Sequence, residues 1–378
     1  MDCECNPPTL LRLLGVCAAL WLGGCNRPTE LTYALRDEGK ELPAGQQQEL
    51  EKLLRRSFGT PVDPTLNLTI AAEDPATPRK AIPPEELDQR LRLQHGQRVY
   101  EKQCQACHGV SGDGNGPAAK YLNPLPRDYR LGRFKFTSTP RGIKPLRDDL
   151  RRIIHRGAKG TSMPAFRWLP DDELEAVIDY VMLLSSRGET ELALVRQAGE
   201  LSEGEGFELE QVEQAFSRVK RGWERAASER VLPLTAMPHM TEETIREGAT
   251  AFIELNCFRC HGKDGRGNRA FNVGKDDWGH TAFAADLTSG MLHGGRRPVD
   301  IYRRIYSGIN ATPMPAFKDP DTTKGETPEQ RSDKIWRMVH FVTAIVEGRE
   351  LPLNAIEEAL KNLPQATESS DTPSTDEK

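Results

Sequence analysis

Two five-residue runs could carry chemistry in this chain: Cys104-Gln105-Ala106-Cys107-His108 and Cys257-Phe258-Arg259-Cys260-His261. Cys-x-x-Cys-His is the attachment signature of c-type haem. In each run the two thiols are placed to form thioethers with the two vinyl groups of one porphyrin, and the adjoining histidine is held against one face of the iron. Two Cys-x-x-Cys pairs also suggest a zinc site, but the pairs lie 150 residues apart and each is followed directly by His-Gly. A thioredoxin-like redox pair needs a strand-helix pattern around it, and neither run has one.

The segments that must position these runs are duplicated with them. Gly96 with Tyr100 precedes the first, and Gly248 with Phe252 precedes the second. Behind them, residues 151–166 and 302–317 repeat at a constant offset of 151 and end in Thr-Ser-Met-Pro-Ala-Phe and Thr-Pro-Met-Pro-Ala-Phe. This is an internal duplication, and two tandem haem domains are expected. A glycine-rich turn over 109–116 can pass close to a porphyrin edge, because glycine has no side chain to clash. Leu174, Val177, Ile178, Val181 and Leu184 mark one face of an exit helix with Tyr180 beside it; Ile335, Met338, Val339, Phe341, Val342 and Ile345 mark its counterpart.

With these companions the chain resembles the class I cytochrome c family twice over, in the stretches 93–188 and 241–350. The resemblance implies an all-α fold, two tandem class I cytochrome c domains joined by a helical linker, and two covalently bound haem c groups. It also implies methionine as the sixth iron ligand, carried here by Met163 and Met314 opposite His108 and His261. Core packing is the commoner fate of a methionine, but these two share a repeated context that Met182, Met237, Met240, Met291 and Met338 lack. A thioether favours ferrous iron and raises the potential relative to two imidazoles. Pro164 and Pro315 stiffen each loop just after its methionine. In the family a proline carbonyl orients the axial imidazole; Pro117 fits that role in the first domain, while the second has no proline at the corresponding place. His155, His239, His280, His293 and His340 are left without a role.

The remaining segments set the context. Residues 13–22 form an apolar run too short to span a bilayer but suited to a signal-peptide core. The run ends in Leu22-Gly23-Gly24-Cys25, which resembles a lipoprotein cleavage box and implies export with lipid on Cys25, although Asp2 and Glu4 make an unusual leader. The division expected is a signal peptide over 1–24, a proline-rich tether over 25–92, haem domains over 93–188 and 241–350, a helical linker over 189–240, and a largely disordered tail over 351–378. The eight cysteines are used up by the two signatures and by Cys3, Cys5, Cys17 and Cys25 at the extreme N-terminus, so none remains for a structural disulfide in the folded body. Aromatic residues are only 6% of the chain, a thin supply for a core that a bound porphyrin would supplement. The first haem domain carries a net charge of +6 over 96–188 and the second none over 242–350, which suits steering toward an acidic partner. The expectation is an electron carrier rather than an enzyme, lipid-anchored on the periplasmic side, exchanging single electrons with redox partner proteins as a shuttle or within a respiratory complex, with no nucleic acid involved. A di-haem peroxidase, or a haem-based redox or gas sensor, is the alternative.

Overall fold

The computed structural model describes residues 31–66, 83–200, 206–207, 209–267 and 272–363. Cys25, the apolar run 13–22 and the tail beyond 363 lie outside them. Among the described residues the fold is all α, with two isolated bridges and no strand. After a single turn at Asp37–Lys40 the helices are α1 (Ala44–Phe58), α2 (Pro84–Gln103), α3 (Gln105–His108), α4 (Arg147–Arg156), α5 (Asp171–Ala198), α6 (Leu209–Ala226), α7 (Glu242–Glu254), α8 (Phe258–His261), α9 (Pro298–Ser307), α10 (Pro328–Val346) and α11 (Leu353–Lys361).

Each half is built on one crossing of two helices. In the first, α2 enters with Pro84 in its first turn followed by Glu85 and Glu86, where proline loses no hydrogen bond and carboxylates face the positive helix end. It crosses α5 at Gly96, where an added Cβ would lie 2.0 Å from the Ala176 carbonyl oxygen. In the second, α7 crosses α10 at Gly248, where an added Cβ would lie 2.0 Å from the Arg337 carbonyl oxygen. The α10 start is fixed by a capping box: Thr327 Oγ1 accepts from Gln330 N at 3.2 Å, and Gln330 Oε1 accepts from Thr327 N at 2.8 Å. One turn past each glycine an aromatic pair seals the crossing, Tyr100 with Tyr180 at 5.1 Å between centroids and Phe252 with Phe341 at 5.3 Å. Such pairs contribute about 0.5–1.5 kcal/mol beyond the area they bury.

Several expected boundaries move. The stretch read as a tether is folded between 31 and 66: Leu50, Leu54 and Phe58 of α1 are buried in the first core, and Phe58 meets Phe216 of α6 at 5.9 Å. Tyr33 Oη lies 3.2 Å from Tyr180 Oη, and Arg36 N donates to Glu191 Oε1 at 2.6 Å. The exit helix does not stop at Gly188. That glycine is interior to α5 because the backbone at Arg130 passes so near that a Cβ would sit 2.4 Å from Arg130 Cα. The linker is therefore divided: its first part continues α5, α6 packs Val212, Ala215 and Phe216 into the first core, and Val231 belongs to the second. The tail is ordered at its start, with Ile356 of α11 buried in the second core.

The two halves meet through contacts that pair across the repeat. Gly142 N donates to Asn310 Oδ1 at 2.8 Å, and His293 Nδ1 is hydrogen-bonded to the Lys159 carbonyl. Residues 142 and 293, and 159 and 310, are each 151 apart, so the same contact is made twice in opposite senses, as in a two-fold dimer. Arg304 Nη1 donates to the Thr137 carbonyl at 2.7 Å, and Lys135 pairs with Asp276 at 3.1 Å.

Gly96→Ala and Gly248→Ala are each expected to lower stability by about 1–3 kcal/mol, more than offsetting the ~1 kcal/mol alanine gains in helix propensity. The obstacle is main chain, which cannot rotate aside. Thermal unfolding of the haem-loaded variants checks this, and an unchanged midpoint for either would contradict the close crossing.

Candidate haem sites

The helical turns α3 and α8 hold the two signatures. His108 N donates to the Cys104 carbonyl at 2.9 Å and His261 N to the Cys257 carbonyl at 3.0 Å. Residues three and four apart share one helix face, so both thiols and the imidazole of each run point the same way. Gly109 (φ +76°) and Gly262 (φ +71°) then turn the chain in the left-handed region. The loops that follow fold back identically: Gly114 N donates to the His108 carbonyl at 2.9 Å, and Gly267 N to the His261 carbonyl at 2.7 Å.

Each imidazole is oriented by a main-chain carbonyl, and it is not the one read from the sequence. His108 Nδ1 lies 3.0 Å from the Arg127 carbonyl and His261 Nδ1 lies 3.1 Å from the Ala285 carbonyl. Pro117 is elsewhere. Its neighbours are tied to the backbone of the signature turn, Gly116 N to the Cys107 carbonyl at 3.1 Å and Ala118 N to the Ala106 carbonyl at 2.9 Å. The second domain needs no proline, because a backbone carbonyl of any residue serves. The two acceptors are matched: Asp128 follows one and Asp286 the other, and the next residues, Tyr129 and Leu287, donate to the Gly112 and Gly265 carbonyls at 2.7 and 2.8 Å. Burial pushes the pKa of both imidazoles down, and the carbonyl contact only partly counters it. Both rings are therefore neutral at pH 7, with Nδ1–H donated to the carbonyl and the Nε2 lone pair free for a metal.

The methionine loops are also built alike. Thr161 Oγ1 donates to the Ala158 carbonyl at 2.7 Å and accepts from Met163 N at 3.2 Å; Thr312 Oγ1 donates to the Ile309 carbonyl at 2.9 Å and accepts from Met314 N at 3.3 Å. Phe166 N reaches the Ile154 carbonyl and Phe317 N the Ile305 carbonyl, each at 3.1 Å. All four signature cysteines are free and half-buried.

Cys104, Cys107, His108, Met163, Cys257, Cys260, His261 and Met314 all line one continuous cavity of about 1780 Å³. Pockets for a single drug-sized ligand measure roughly 300–1,000 Å³, so the space exceeds what one such ligand needs. Leu150, Ile154, Val177 and Val181 give it apolar walls on one side and Ile309 and Phe317 on the other. Among the described residues no three His, Cys, Asp or Glu side chains gather as a site for a bare ion. The donor set of thiols, neutral imidazoles and thioethers, inside apolar walls, fits haem c. The two sites differ in detail: Tyr129 stacks on the His108 ring at 4.7 Å, whereas the corresponding residue of the second half is Leu287, buried in the second core. Trp278 of the second half reaches the first site, with Nε1 donating to the Asp128 carbonyl at 3.2 Å and its ring 3.8 Å from the Arg127 guanidinium. Nothing in the sequence near residue 278 signals that contact.

Residues 91–181 match the family model described as cytochrome C oxidase, cbb3-type, subunit III. Over 105 residues the chain is 32% identical to the Cbb3-type cytochrome c oxidase subunit FixP of Rhizobium meliloti (strain 1021), covering 25% of this chain and 31% of that relative. The chain thus spans about a third of the relative's length. Among solved structures it is similar to a chain of the Kuenenia stuttgartiensis reducing HAO-like protein complex, with 28% identity, a TM-score of 0.50, and coverage of 67% of this chain and 96% of that one. Over residues 91–181 the protein is therefore similar to a c-type cytochrome domain, which implies covalently bound haem c and haem-based electron transfer there.

Burial pushes the thiols of Cys104 and Cys257 up to about 12. Against an ordinary value of about 8.5 this reduces the thiolate at pH 8 by roughly three orders of magnitude. Iodoacetamide is therefore expected to label these two thiols in the folded haem-free chain about 10³-fold more slowly than in urea. Equal rates would contradict the buried placement.

Proposed function

We propose that the protein is a di-haem c-type cytochrome that relays single electrons between redox partner proteins, as an electron-transfer subunit of a respiratory complex on the periplasmic side of a bacterial membrane. The observation that carries this reading is that two complete donor sets, each with two thiols, an imidazole and a thioether, open onto one cavity. Cys104 with Cys107, and Cys257 with Cys260, hold the two porphyrins covalently. His108 and Met163 would hold the first iron, and His261 and Met314 the second. The bound haem supplies a one-electron couple. The residues around it would supply two ligands to each iron, hold each imidazole in one tautomer through the Arg127 or Ala285 carbonyl, and exclude water with apolar walls, so that charge would change with little rearrangement.

A subunit role is favoured over a free shuttle because both named relatives are parts of complexes, one an oxidase subunit and the other a chain of a reducing HAO-like complex. The Leu22-Gly23-Gly24-Cys25 box is the support for lipid on Cys25 as the anchor; among the described residues no helix is long and apolar enough to cross a membrane. A peroxidase or a gas sensor needs a sixth position that opens, and two methionine loops braced by the same hydrogen bonds speak against it.

In a host that attaches haem c, the intact mass is expected to show two haem additions. Replacing Cys104 and Cys107 by alanine should remove one, and replacing Cys257 and Cys260 the other; a single haem in the unaltered chain, or fast peroxide turnover by it, would refute the relay. Cys25→Ser is expected to move the protein from the detergent phase to the aqueous phase on Triton X-114 partition, and retention in detergent would rule out the lipid anchor.

A further inference from the structure

Arg141 belongs to the first half of the molecule, yet its side chain is spent on the methionine loop of the second. Its Nη1 donates to the Met314 carbonyl at 2.5 Å and its Nη2 to the Thr312 carbonyl at 2.8 Å. Beside it, Gly142 N donates to Asn310 Oδ1 at 2.8 Å, and Asn310 Nδ2 donates back to Thr137 Oγ1 at 3.3 Å. Within its own half, the Met314 carbonyl is approached by the Ile309 amide at 3.4 Å, beyond the usual range for an N–H donor. The short bond to the Met314 carbonyl comes from the other half.

The first half has no equivalent. The position 151 residues after Arg141 is Leu292, which has no donor to offer. Around the first loop the interface supplies His293 to the Lys159 carbonyl, whereas the Met163 carbonyl takes only the Ala158 amide, at 3.3 Å, among the described residues. A contact otherwise repeated in both senses is thus reinforced on one side alone. The planar guanidinium, with its donors in a fixed fork, sets the spacing of two carbonyls at once, which a lysine cannot do.

We infer that Arg141 is a positioning residue for Met314. The first half bonds the carbonyl of the second haem's sixth ligand directly, whereas among the described residues no side chain of the second half bonds the Met163 carbonyl, so through Arg141 the second haem's ligation is coupled to the contact between the halves. This rests on the reading of Met314 as an axial ligand. A thioether is a neutral, weakly held ligand whose place is fixed by its loop, and its loss lowers the potential.

The test uses the full-length haem-loaded protein and reads the far-red absorption band of methionine-ligated ferric haem together with an optical redox titration. Met314→Ala should abolish the second haem's share of the band. Arg141→Ala should diminish that same share and lower one transition, leaving the share due to Met163 intact; Arg141→Lys should not restore it fully. Arg133→Ala, which breaks the Arg133–Asp277 ion pair between the halves and leaves in place the main-chain bond from Asp277 N to the Ala311 carbonyl of the loop at 3.2 Å, should leave band and potentials unchanged. A full band and unaltered potentials in Arg141→Ala, with the expected loss in Met314→Ala, would overturn the role of Arg141 while sparing the ligand reading. The same loss in Arg133→Ala as in Arg141→Ala would overturn it too, by showing a general opening of the interface. No loss in Met314→Ala would refute the ligand reading itself.

Discussion

Where α2 crosses α5, Gly96 lets the helices approach until a methyl group would lie 2.0 Å from the Ala176 carbonyl oxygen, and Gly248 does the same for α7 and α10 at Arg337. The rest of each half depends on that approach. The end of the entering helix is where the signature turn begins, and the methionine loop leads into the leaving helix, so the crossing sets how far the imidazole stands from the thioether. A wider crossing would separate them, and the methionine loops, already tied by the Thr161 and Thr312 hydroxyls, have little freedom to bring them back. The aromatic pairs one turn on, Tyr100 with Tyr180 and Phe252 with Phe341, then close the end of the crossing against solvent.

The same economy explains why the two halves share one cavity. A chain with few aromatic residues and apolar walls around a space of about 1780 Å³ lacks the side chains to fill that space itself. Apolar surface left facing a void or water forfeits its packing and transfer energy, and under the proposed function a flat apolar macrocycle fixed on each signature turn would restore both. Joining the halves through Trp278, Arg304, Asn310 and Arg141 places the methionine loops and histidine loops next to the interface. Ligand geometry and domain packing are consequently the same problem in this molecule, and the linker is divided between the two cores.

Much of this was legible in the sequence because it is local. The signatures, the glycine four residues before each aromatic, and the paired methionine contexts all depend on short spacings that a duplication displays twice. What was not legible is carried by the backbone or by distant contacts. Arg127 and Ala285 act through carbonyls, which leave no side-chain signature, and a proline known from the family drew attention to Pro117 instead. Gly188 looked like a helix end, but it is a place where a loop passes close to a helix that continues. The stretch 31–66 read as tether from its setting beside prolines, although Leu50, Leu54 and Phe58 already formed an apolar stripe that needed a core to enter. Arg141 and Met314 are 173 residues apart, and no pattern along the chain connects them.

The central claim is that both irons are held by histidine and methionine, and an optical redox titration of the haem-loaded chain tests it most directly, run beside Met163→His and Met314→His. The account predicts two low-spin transitions at relatively high potential in the unaltered chain, with one transition, and a different one in each variant, moving downward. A high-spin haem in the unaltered chain, or a variant whose transitions stay where they were, would contradict it.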